Sequence, residues 1–355
     1  MPSVLHKGLN SGDLSRDEIV DLLSRTDEAE VKELLDVADR VRRQCVGDGV
    51  HIRGLVEFSN ICRRSCMYCG LRRENREVKR CRMPPDEIVR IAQDLGGRGI
   101  RTVVLQSGED PWYTTEIVSD VVRRIKSTTD TAVTLCVGER PFEDYRAFRE
   151  AGADRYLLRH ETANPRLYRE NHPDSVQEER LACLRELKRL GFQTGSGFMV
   201  GLPGQTVEDL ADDIMLLKQY DVDMAGIGPF IPHPNTPLGE SPAGDLQMSL
   251  KAVALTRIVL RDVLIPATTA MGSIDEFGRE KALTAGANVV MPNYTPLEYR
   301  VNYEIYPNKR CITEDPGLCD GCMRARILSV GRTVATGRGD APSTTKTQGP
   351  GHVVR

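Results

Sequence analysis

The sequence lacks several features that would assign it at once to a protein class. It has no apolar run long enough to cross a membrane, and its first residues, MPSVLHKGLNSGD, contain no apolar stretch of the kind that a secretory signal needs. Lysines and arginines are interspersed with acids, and a formal charge of −3 with a pI near 6.1 disfavours nucleic acid as the main partner. These absences predict a cytoplasmic protein with neither a membrane nor a nucleic-acid partner.

Two further absences concern the fold. The chain shows no repeat at the spacing of solenoid proteins. No glycine fingerprint of the dinucleotide-binding type follows the first predicted strand. The second absence disfavours a doubly wound open sheet, which remains the alternative to the fold inferred next.

Short apolar segments rich in Val, Ile and Leu alternate with amphipathic helical segments. The strand candidates are residues 52–58, 101–107, 132–138, 154–160, 194–201, 223–230, 266–272 and 288–293. Eight strand–helix alternations fit an α/β fold of the (β/α)₈ type, a TIM-type barrel. The predicted domains are a helical extension (1–48), the barrel (49–300), a C-terminal extension (301–332) and a tail (333–355).

The ends of several helices carry capping signals. Capping boxes are predicted for Ser15 with Glu18, Ser175 with Glu178, and Thr206 with Asp209. Two short helices are predicted within residues 15–46. The tail is rich in Gly, Thr and Pro without apolar periodicity, which predicts disorder, and its Arg-Gly-Asp sequence (338–340) is interpreted as chance.

The chain has ten cysteines, which in a cytoplasmic protein are expected to be reduced thiols or metal ligands. Six of them form two clusters, Cys62, Cys66 and Cys69 in the first, and Cys311, Cys319 and Cys322 in the second. The remaining four stand alone and are predicted to be buried or inert, namely Cys45, Cys81, Cys136 and Cys183.

The first cysteine cluster follows the first predicted barrel strand, at the end of a barrel where catalytic groups lie. Four thiolates would close a tetrahedral structural site, whereas three leave one position open. A zinc ion with a distant fourth ligand is one interpretation, although no second C-x-x-C pair or nearby histidine completes such a site. The other is a 4Fe–4S cluster with one iron free to bind a small molecule.

The motif C-x-x-x-C-x-x-C, with Tyr68 before its last cysteine, resembles that of the radical S-adenosylmethionine (SAM) enzymes. Within that superfamily, roughly residues 15–330 resemble the HydE family of FeFe-hydrogenase maturases, and the likeness extends more weakly to biotin synthase and methylornithine synthase. The segments that carry the HydE resemblance are residues 105–113, 154–168, 197–213, 226–238, 266–274 and 286–296. The resemblance implies that a 4Fe–4S cluster cleaves SAM to a 5′-deoxyadenosyl radical.

The resemblance also implies which residues bind SAM. They are Gln106, Gly108, Glu109, Thr134, Glu161, Arg180, Met291 and Tyr303. Gly108 and Glu109 match the turn that receives the methionine ammonium group, and Arg180 is suited to pair with its carboxylate. The structural alternative is a solvated ion pair between Glu161 and Arg180 at the barrel rim.

A substrate pocket is implied deeper in the barrel. Its expected lining is Arg159, Met224, Thr268, Thr269 and Tyr306. Arg159 lies in an apolar strand and therefore needs an anionic partner, either a substrate or another part of the protein. Thr268 and Thr269 are also compatible with ordinary strand propensity. The histidines at 51, 172 and 233 are predicted to be loop or rim residues without a catalytic role.

For the second cysteine cluster the resemblance implies an auxiliary 2Fe–2S cluster. Cys319 and Cys322 form a C-x-x-C at the start of a predicted helix, where the backbone amides favour thiolates. The alternative is an adventitious zinc or iron site.

The resemblance implies a radical SAM enzyme that acts on a small organometallic Fe(CO)₂(CN)–cysteine species in hydrogenase maturation. It also implies a reductant such as ferredoxin or flavodoxin, and transient contact with other maturases. Two alternatives remain: an enzyme of the biotin synthase or methylornithine synthase type acting on a small anion, and a non-enzymatic iron–sulfur scaffold.

Overall fold

A computed structural model describes residues 4–314 and 316–342. Three helices precede the barrel: α1 (Val4–Ser11), α2 (Arg16–Ser24) and α3 (Glu28–Val46). The Ser15–Glu18 capping box starts α2, as predicted, and α1 was not anticipated from the sequence. Helix α3 spans 19 residues and is followed by Gly47, whose φ of 72° is one that glycine adopts more readily than other residues.

The barrel is built from parallel strands with helices between them. Its strands are β2 (Gly54–Ser59), β3 (Thr102–Ser107), β4 (Ala132–Cys136), β5 (Arg155–Leu157), β6 (Gln193–Val200), β7 (Met224–Pro229) and β8 (Val289–Val290). The strands β2 to β7 form one sheet in chain order. Every residue of β2, β6 and β7 is buried, as expected for parallel strands covered on both faces.

The remaining elements surround this sheet. The helices are α4 (Pro85–Gly97), α5 (Thr115–Thr128), α6 (Phe142–Glu150), α7 (Pro165–Asn171), α8 (Gln177–Arg189), α9 (Val207–Gln219), α10 (Leu246–Leu260), α11 (Thr269–Ile274), α12 (Gly278–Thr284), α13 (Leu297–Arg300) and α14 (Pro316–Ser329). Two short strands, β1 (Gly49–Ile52) and β9 (Thr333–Val334), lie outside the six-stranded sheet, and β1 pairs with β8 on one side and with β9 on the other. Among the described residues, no helix is both long and apolar enough to cross a bilayer.

The barrel closes through the short parallel pairing of β8 with β1, in which His51 lies opposite Val289 and Ile52 opposite Val290, and through isolated parallel bridges. Leu264 bridges Met224 and Pro266 bridges Val289, while Leu55 of β2 bridges Asn293. The predicted α/β barrel is thus confirmed, with two of its eight strand positions reduced to a few residues.

Two local predictions from the sequence are wrong. Residues 269–272, which were assigned to a strand, begin helix α11, because Ala and Met favour a helix once the chain has left the barrel wall at Thr268. The predicted capping box at Ser175 is absent: Val176 occupies the N-cap of α8, and the Ser175 hydroxyl donates to Glu139 Oε1 instead (3.0 Å).

The structure also differs from the predicted disordered tail. Strand β9 pairs with β1, and residues 338–341 cover the amino-terminal end of the barrel. The buried Arg155 guanidinium donates to Asp340 Oδ1 (2.6 Å), and Arg338 pairs with Asp154. Composition did not reveal this segment because polar hydrogen bonds, rather than apolar periodicity, hold it. Residues 343–355 lie outside the described residues.

We expect Asp340→Ala to lower the free energy of unfolding by about 2 kcal/mol, because it leaves the Arg155 guanidinium buried without a carboxylate. Urea denaturation of both proteins measures the difference. Asp130→Ala is the matched control, because Asp130 is exposed and lies 3.8 Å from its arginine partner. A difference below about 0.5 kcal/mol for Asp340→Ala would mean that the 338–341 segment does not stabilise the barrel.

Candidate functional site

The carboxyl ends of the barrel strands surround a cavity of about 270 Å³, here called the main cavity. All three cysteines of the first cluster line it. So do most of the residues predicted to bind SAM or substrate: Gln106, Gly108, Glu109, Arg159, Glu161, Arg180, Thr268, Tyr303 and Tyr306. The structure therefore brings together, from separate strands and loops, the greater part of the predicted site.

The cysteine loop leaves β2 and has no regular secondary structure. The Cys62 sulfur accepts hydrogen bonds from the backbone amides of Arg64 (3.5 Å) and Glu109 (3.4 Å). Burial raises the pKa of each thiol, and it raises that of Cys69 to about 12. The other cysteines of the loop raise the pKa values of Cys66 and Cys69 further.

The donor set fits an iron–sulfur cluster, whose core of iron and sulfide is cationic. Three buried thiols in one wall can be held as thiolates only if a positive group lies beside them. Several buried polar atoms that line the same cavity lack a hydrogen-bond partner, among them Arg159 Nε, Glu161 Oε2 and Thr268 Oγ1. Such groups favour a polar ligand next to the thiols. Among the described residues, no three His, Cys, Asp or Glu side chains converge closely enough for a single metal ion.

The turn after β3 packs directly on the cysteine loop. A Cβ atom on Gly108 would lie 2.3 Å from the Ile61 carbonyl oxygen, so only glycine fits there. Glu109 accepts from Arg64 Nε (2.6 Å) and from the Glu139 amide (2.9 Å). Its carboxylate is therefore fixed within the protein, and its backbone carbonyl accepts from the Arg63 amide (3.0 Å).

The ion pair that Arg180 forms differs from the Glu161–Arg180 pair that was predicted as the structural alternative. Arg180 pairs with Glu139 and donates from Nε to the Arg159 carbonyl (2.6 Å), so no Glu161–Arg180 ion pair forms. Burial opposes the charge of Arg180, but Tyr168, Glu139 and Glu161 outweigh it and hold its pKa well above the ordinary value. Glu139 was missed because it lies 41 residues from Arg180 in a loop without a motif.

Arg159 and Glu161 form an ion pair in the lining of the main cavity. Arg159 Nη2 lies 2.8 Å from Glu161 Oε2, yet neither atom has the alignment of a hydrogen bond. Both groups therefore retain hydrogen-bonding capacity for a ligand. The expected need of Arg159 for an anionic partner is met in part by a protein carboxylate.

Glu161 is held in a backbone conformation that side chains rarely adopt, with φ of 70°. Its amide donates to Gly197 O (3.0 Å), and its carbonyl accepts from the Met199 amide (3.2 Å). The residue before Glu161 is also fixed, because the His160 ring contacts Ser196 Oγ (2.9 Å) and Asp213 Oδ1 (3.2 Å). The network directs Glu161 into the cavity.

Four of the predicted site residues do not line the main cavity. Thr134 and Met224 lie deeper, on the strand faces that carry Cys136 and Gly228 respectively. The Met224 sulfur lies 3.0 Å from Arg53 Nη1. Thr269 and Met291 instead line a second cavity near the C-terminal cysteines.

His172 was predicted to be a loop or rim residue; it lies in the loop after α7, but it is buried and not at the rim. It is 2% exposed, and it lines the main cavity with its Nε2 atom 2.9 Å from the Tyr68 hydroxyl. Burial lowers the pKa of His172 to about 3, so the ring is neutral. Cys136, predicted to be inert, also lines the cavity, and burial raises its pKa to about 11.

The second cysteine cluster borders a separate cavity of about 180 Å³. Cys319 lies in the first turn of α14, and Cys311 has a positive φ of 62°. Burial and then Cys311 raise the pKa of Cys319. Four basic side chains share the lining: Arg279, Lys309, Arg310 and Arg326.

Comparisons with known proteins agree with this geometry. The model of the Radical SAM superfamily matches residues 56–217. The [FeFe] hydrogenase maturase subunit HydE of Thermotoga maritima is 53% identical over 91% of this chain and 93% of its own length. The 3-methylornithine synthase of Methanosarcina acetivorans is 29% identical over 82% of this chain and 83% of its own. A crystal structure of methylornithine synthase (PylB) superimposes with a TM-score of 0.83, covering 94% of this chain and 97% of that one at 25% identity.

Burial lowers the pKa of His160 from 6.5 to about 3, so only the unfolded chain binds a proton between these values. Stability from this residue is therefore complete above pH 6.5 and is lost as the pH falls, by up to about 1.4 kcal/mol per pH unit. Urea denaturation at pH 7.5, 6.5 and 5.5 should show a shallower dependence in His160→Gln. His6→Gln, at an exposed position, should keep the wild-type slope. Equal slopes in all three proteins would refute a neutral His160.

Proposed function

Because this chain is a radical SAM enzyme of the HydE family, we propose that it cleaves SAM reductively in the maturation of the FeFe-hydrogenase diiron cofactor. One observation carries the proposal: the three cysteines of the loop and the Arg159–Glu161 pair line the same cavity. Cys62, Cys66 and Cys69 would hold a 4Fe–4S cluster, which would supply the one electron needed to break the S–C5′ bond of SAM into methionine and a 5′-deoxyadenosyl radical. The protein's part is to bind and orient SAM and to exclude water.

The proposed SAM contacts follow from the lining of the main cavity. The backbone of Gly108 and Glu109 receives the methionine ammonium group, and Glu161 accepts hydrogen bonds from the cosubstrate. Arg180 is already paired with Glu139, so it offers its remaining donors to the methionine carboxylate rather than a free charge. Gln106 donates to the Tyr303 hydroxyl (3.3 Å), and these two side chains close the wall nearest to the C-terminal extension.

The proposed substrate is a small anionic organometallic species that binds beside Arg159. Thr268 and Tyr306 line the same cavity and supply hydroxyl groups, whereas Thr134 and Met224 lie deeper in the barrel and do not line it. A half-buried guanidinium whose Nε has no hydrogen-bond partner suits an anion, and the enclosing barrel keeps a radical away from water. An amino-acid substrate is the second candidate, favoured by the structural similarity to methylornithine synthase.

The second cysteine cluster is proposed to bind a 2Fe–2S cluster. Two of its thiols, Cys319 and Cys322, share the first turns of α14, and the basic residues around the cavity offset the charge of a thiolate-bound cluster. The remaining parts of the proposal are a cytoplasmic location, ferredoxin or flavodoxin as reductant, and passage of product to other maturases.

The proposal predicts that SAM cleavage depends on the cysteine loop. After anaerobic reconstitution with iron and sulfide and reduction by dithionite, electron paramagnetic resonance should show a 4Fe–4S signal that shifts when SAM is added. 5′-Deoxyadenosine should form with the wild-type protein and fall to background with Cys66→Ser. Cys183→Ser is the control, since Cys183 is buried and lies outside the main cavity. A zinc content with no cluster signal, or a signal that ignores SAM, would contradict the proposal.

Arg159→Gln should separate substrate binding from SAM cleavage. We expect 5′-deoxyadenosine formation without substrate to change by less than about threefold. Hydrogenase activation in a reconstituted maturation assay should fall by about 10- to 100-fold, the effect of losing one charge-assisted hydrogen bond. Arg159→Lys should recover part of the loss. Full activation by Arg159→Gln would exclude Arg159 as the anion site and favour a different substrate.

A further inference from the structure

The charge of the chain is distributed unevenly around the cysteine loop. Residues 63–82 contain eight basic and two acidic residues, a formal charge of +6, whereas the whole chain carries −3. The basic residues are Arg63, Arg64, Arg72, Arg73, Arg76, Lys79, Arg80 and Arg82. The catalytic end of an acidic protein is therefore covered by a basic segment.

This basic segment contacts the loop next to each of the three cysteines. Arg73 Nη2 donates to the hydroxyl of Ser65, the neighbour of Cys66 (2.9 Å). Asn75, which precedes Arg76, donates from Nδ2 to the carbonyl of Gly70, the neighbour of Cys69 (2.7 Å). The Lys79 carbonyl accepts from Asn60 Nδ2, two residues before Cys62 (2.8 Å). The later part of the segment, residues 73–79, is thus hydrogen-bonded to the residues that flank the cysteines.

Some of these cations serve the fold and some face solvent. Arg80 and Arg64 are half-buried and bind carbonyl and carboxylate groups of the loop region. Arg63, Arg73, Arg76 and Lys79 are exposed.

Beside the exposed cations lies a surface depression of about 540 Å³. Its lining includes Arg63, Arg64, Arg73 and Arg140 together with Glu139, Asp174 and Glu179. Each of these four arginines pairs with a carboxylate of the protein itself, namely Glu109, Glu139, Glu74 or Asp144. The exposed Arg76 and Lys79 form no ion pair among the described residues, so they are the cations open to the carboxylates of a docked protein.

We propose that this face docks a small acidic protein that carries single electrons, and so admits the electron that SAM cleavage consumes. The inference rests on the proposed function. Each cleavage of the S–C5′ bond takes up one electron, and the carrier, a reduced flavin or iron–sulfur protein, is oxidised by one electron. Charge complementarity favours such a partner, because steering by opposite charges accelerates encounters that bury little surface.

Binding tests the surface without reference to activity. The probes are a flavodoxin and a ferredoxin, each titrated against the reconstituted holoenzyme by calorimetry at 50 and 300 mM NaCl. Arg76→Glu/Lys79→Glu should weaken binding of at least one probe about tenfold or more at 50 mM salt, and the difference should shrink at 300 mM as screening increases. Arg40→Glu/Arg101→Glu, two exposed cations on α3 and at the opposite end of β3, makes the same charge change and should bind like wild type.

Activity then distinguishes failure of this inference from failure of the proposed function. With dithionite as reductant, both double variants should form 5′-deoxyadenosine at the wild-type rate, because neither changes the main cavity. With the reduced carrier, only Arg76→Glu/Lys79→Glu should be slow. If the two variants behave alike with the carrier, or neither probe binds, or the face binds duplex DNA and no carrier, the docking surface is refuted. If dithionite drives no cleavage of SAM even in the wild-type protein, the proposed function fails. The binding titrations would still show whether the basic face docks the carrier.

Discussion

The site depends on holding a long irregular loop in one conformation. Between β2 and α4 the chain carries all three cysteines of the first cluster without a helix or ladder to fix them. Arg80 replaces that regular structure: its guanidinium donates to the carbonyls of Asn60 (2.7 Å), Leu71 (2.9 Å), Arg72 (2.7 Å) and Asn75 (3.0 Å). A single planar cation with five donors can satisfy carbonyls that would otherwise be orphaned, which a lysine could not do in one geometry.

Charged side chains also hold the loops at the carboxyl ends of the barrel strands in place. Glu109, Glu139, Arg64 and Arg180 form one connected set of ion pairs that joins the cysteine loop to the loops after β3 and β4 and to α8. Because these charges are largely buried, removal of one member would leave its partners uncompensated. The network therefore fixes the relative positions of the groups that face the main cavity, while Arg159 and Glu161 are left with unused hydrogen-bonding capacity for ligands.

Much of the fold and of the candidate site could be predicted from the sequence, and the features that could not be predicted have physical causes. Alternating apolar and amphipathic segments were sufficient for the barrel, and the motif was sufficient for the cluster loop. Pairing was not predictable: Arg180 selects Glu139 rather than Glu161 because Glu161 adopts a positive φ and turns toward Arg159. His172 was misjudged because the short helix α7 buries it against Tyr168, with ring centroids 4.4 Å apart.

A buried ion pair also separates the two cysteine clusters. Lys309 pairs with Glu57 of β2 and lies 5.0 Å from the centre of the Tyr303 ring, while Asn293 Nδ2 donates to the other Glu57 oxygen (2.7 Å). Lys309 lines the second cavity, whereas Tyr303 and Tyr306 line the main cavity. The C-terminal extension thus supplies one continuous wall with a different cavity on each side. Its contribution to the main cavity is that wall, which stands whether or not Cys311, Cys319 and Cys322 hold a cluster.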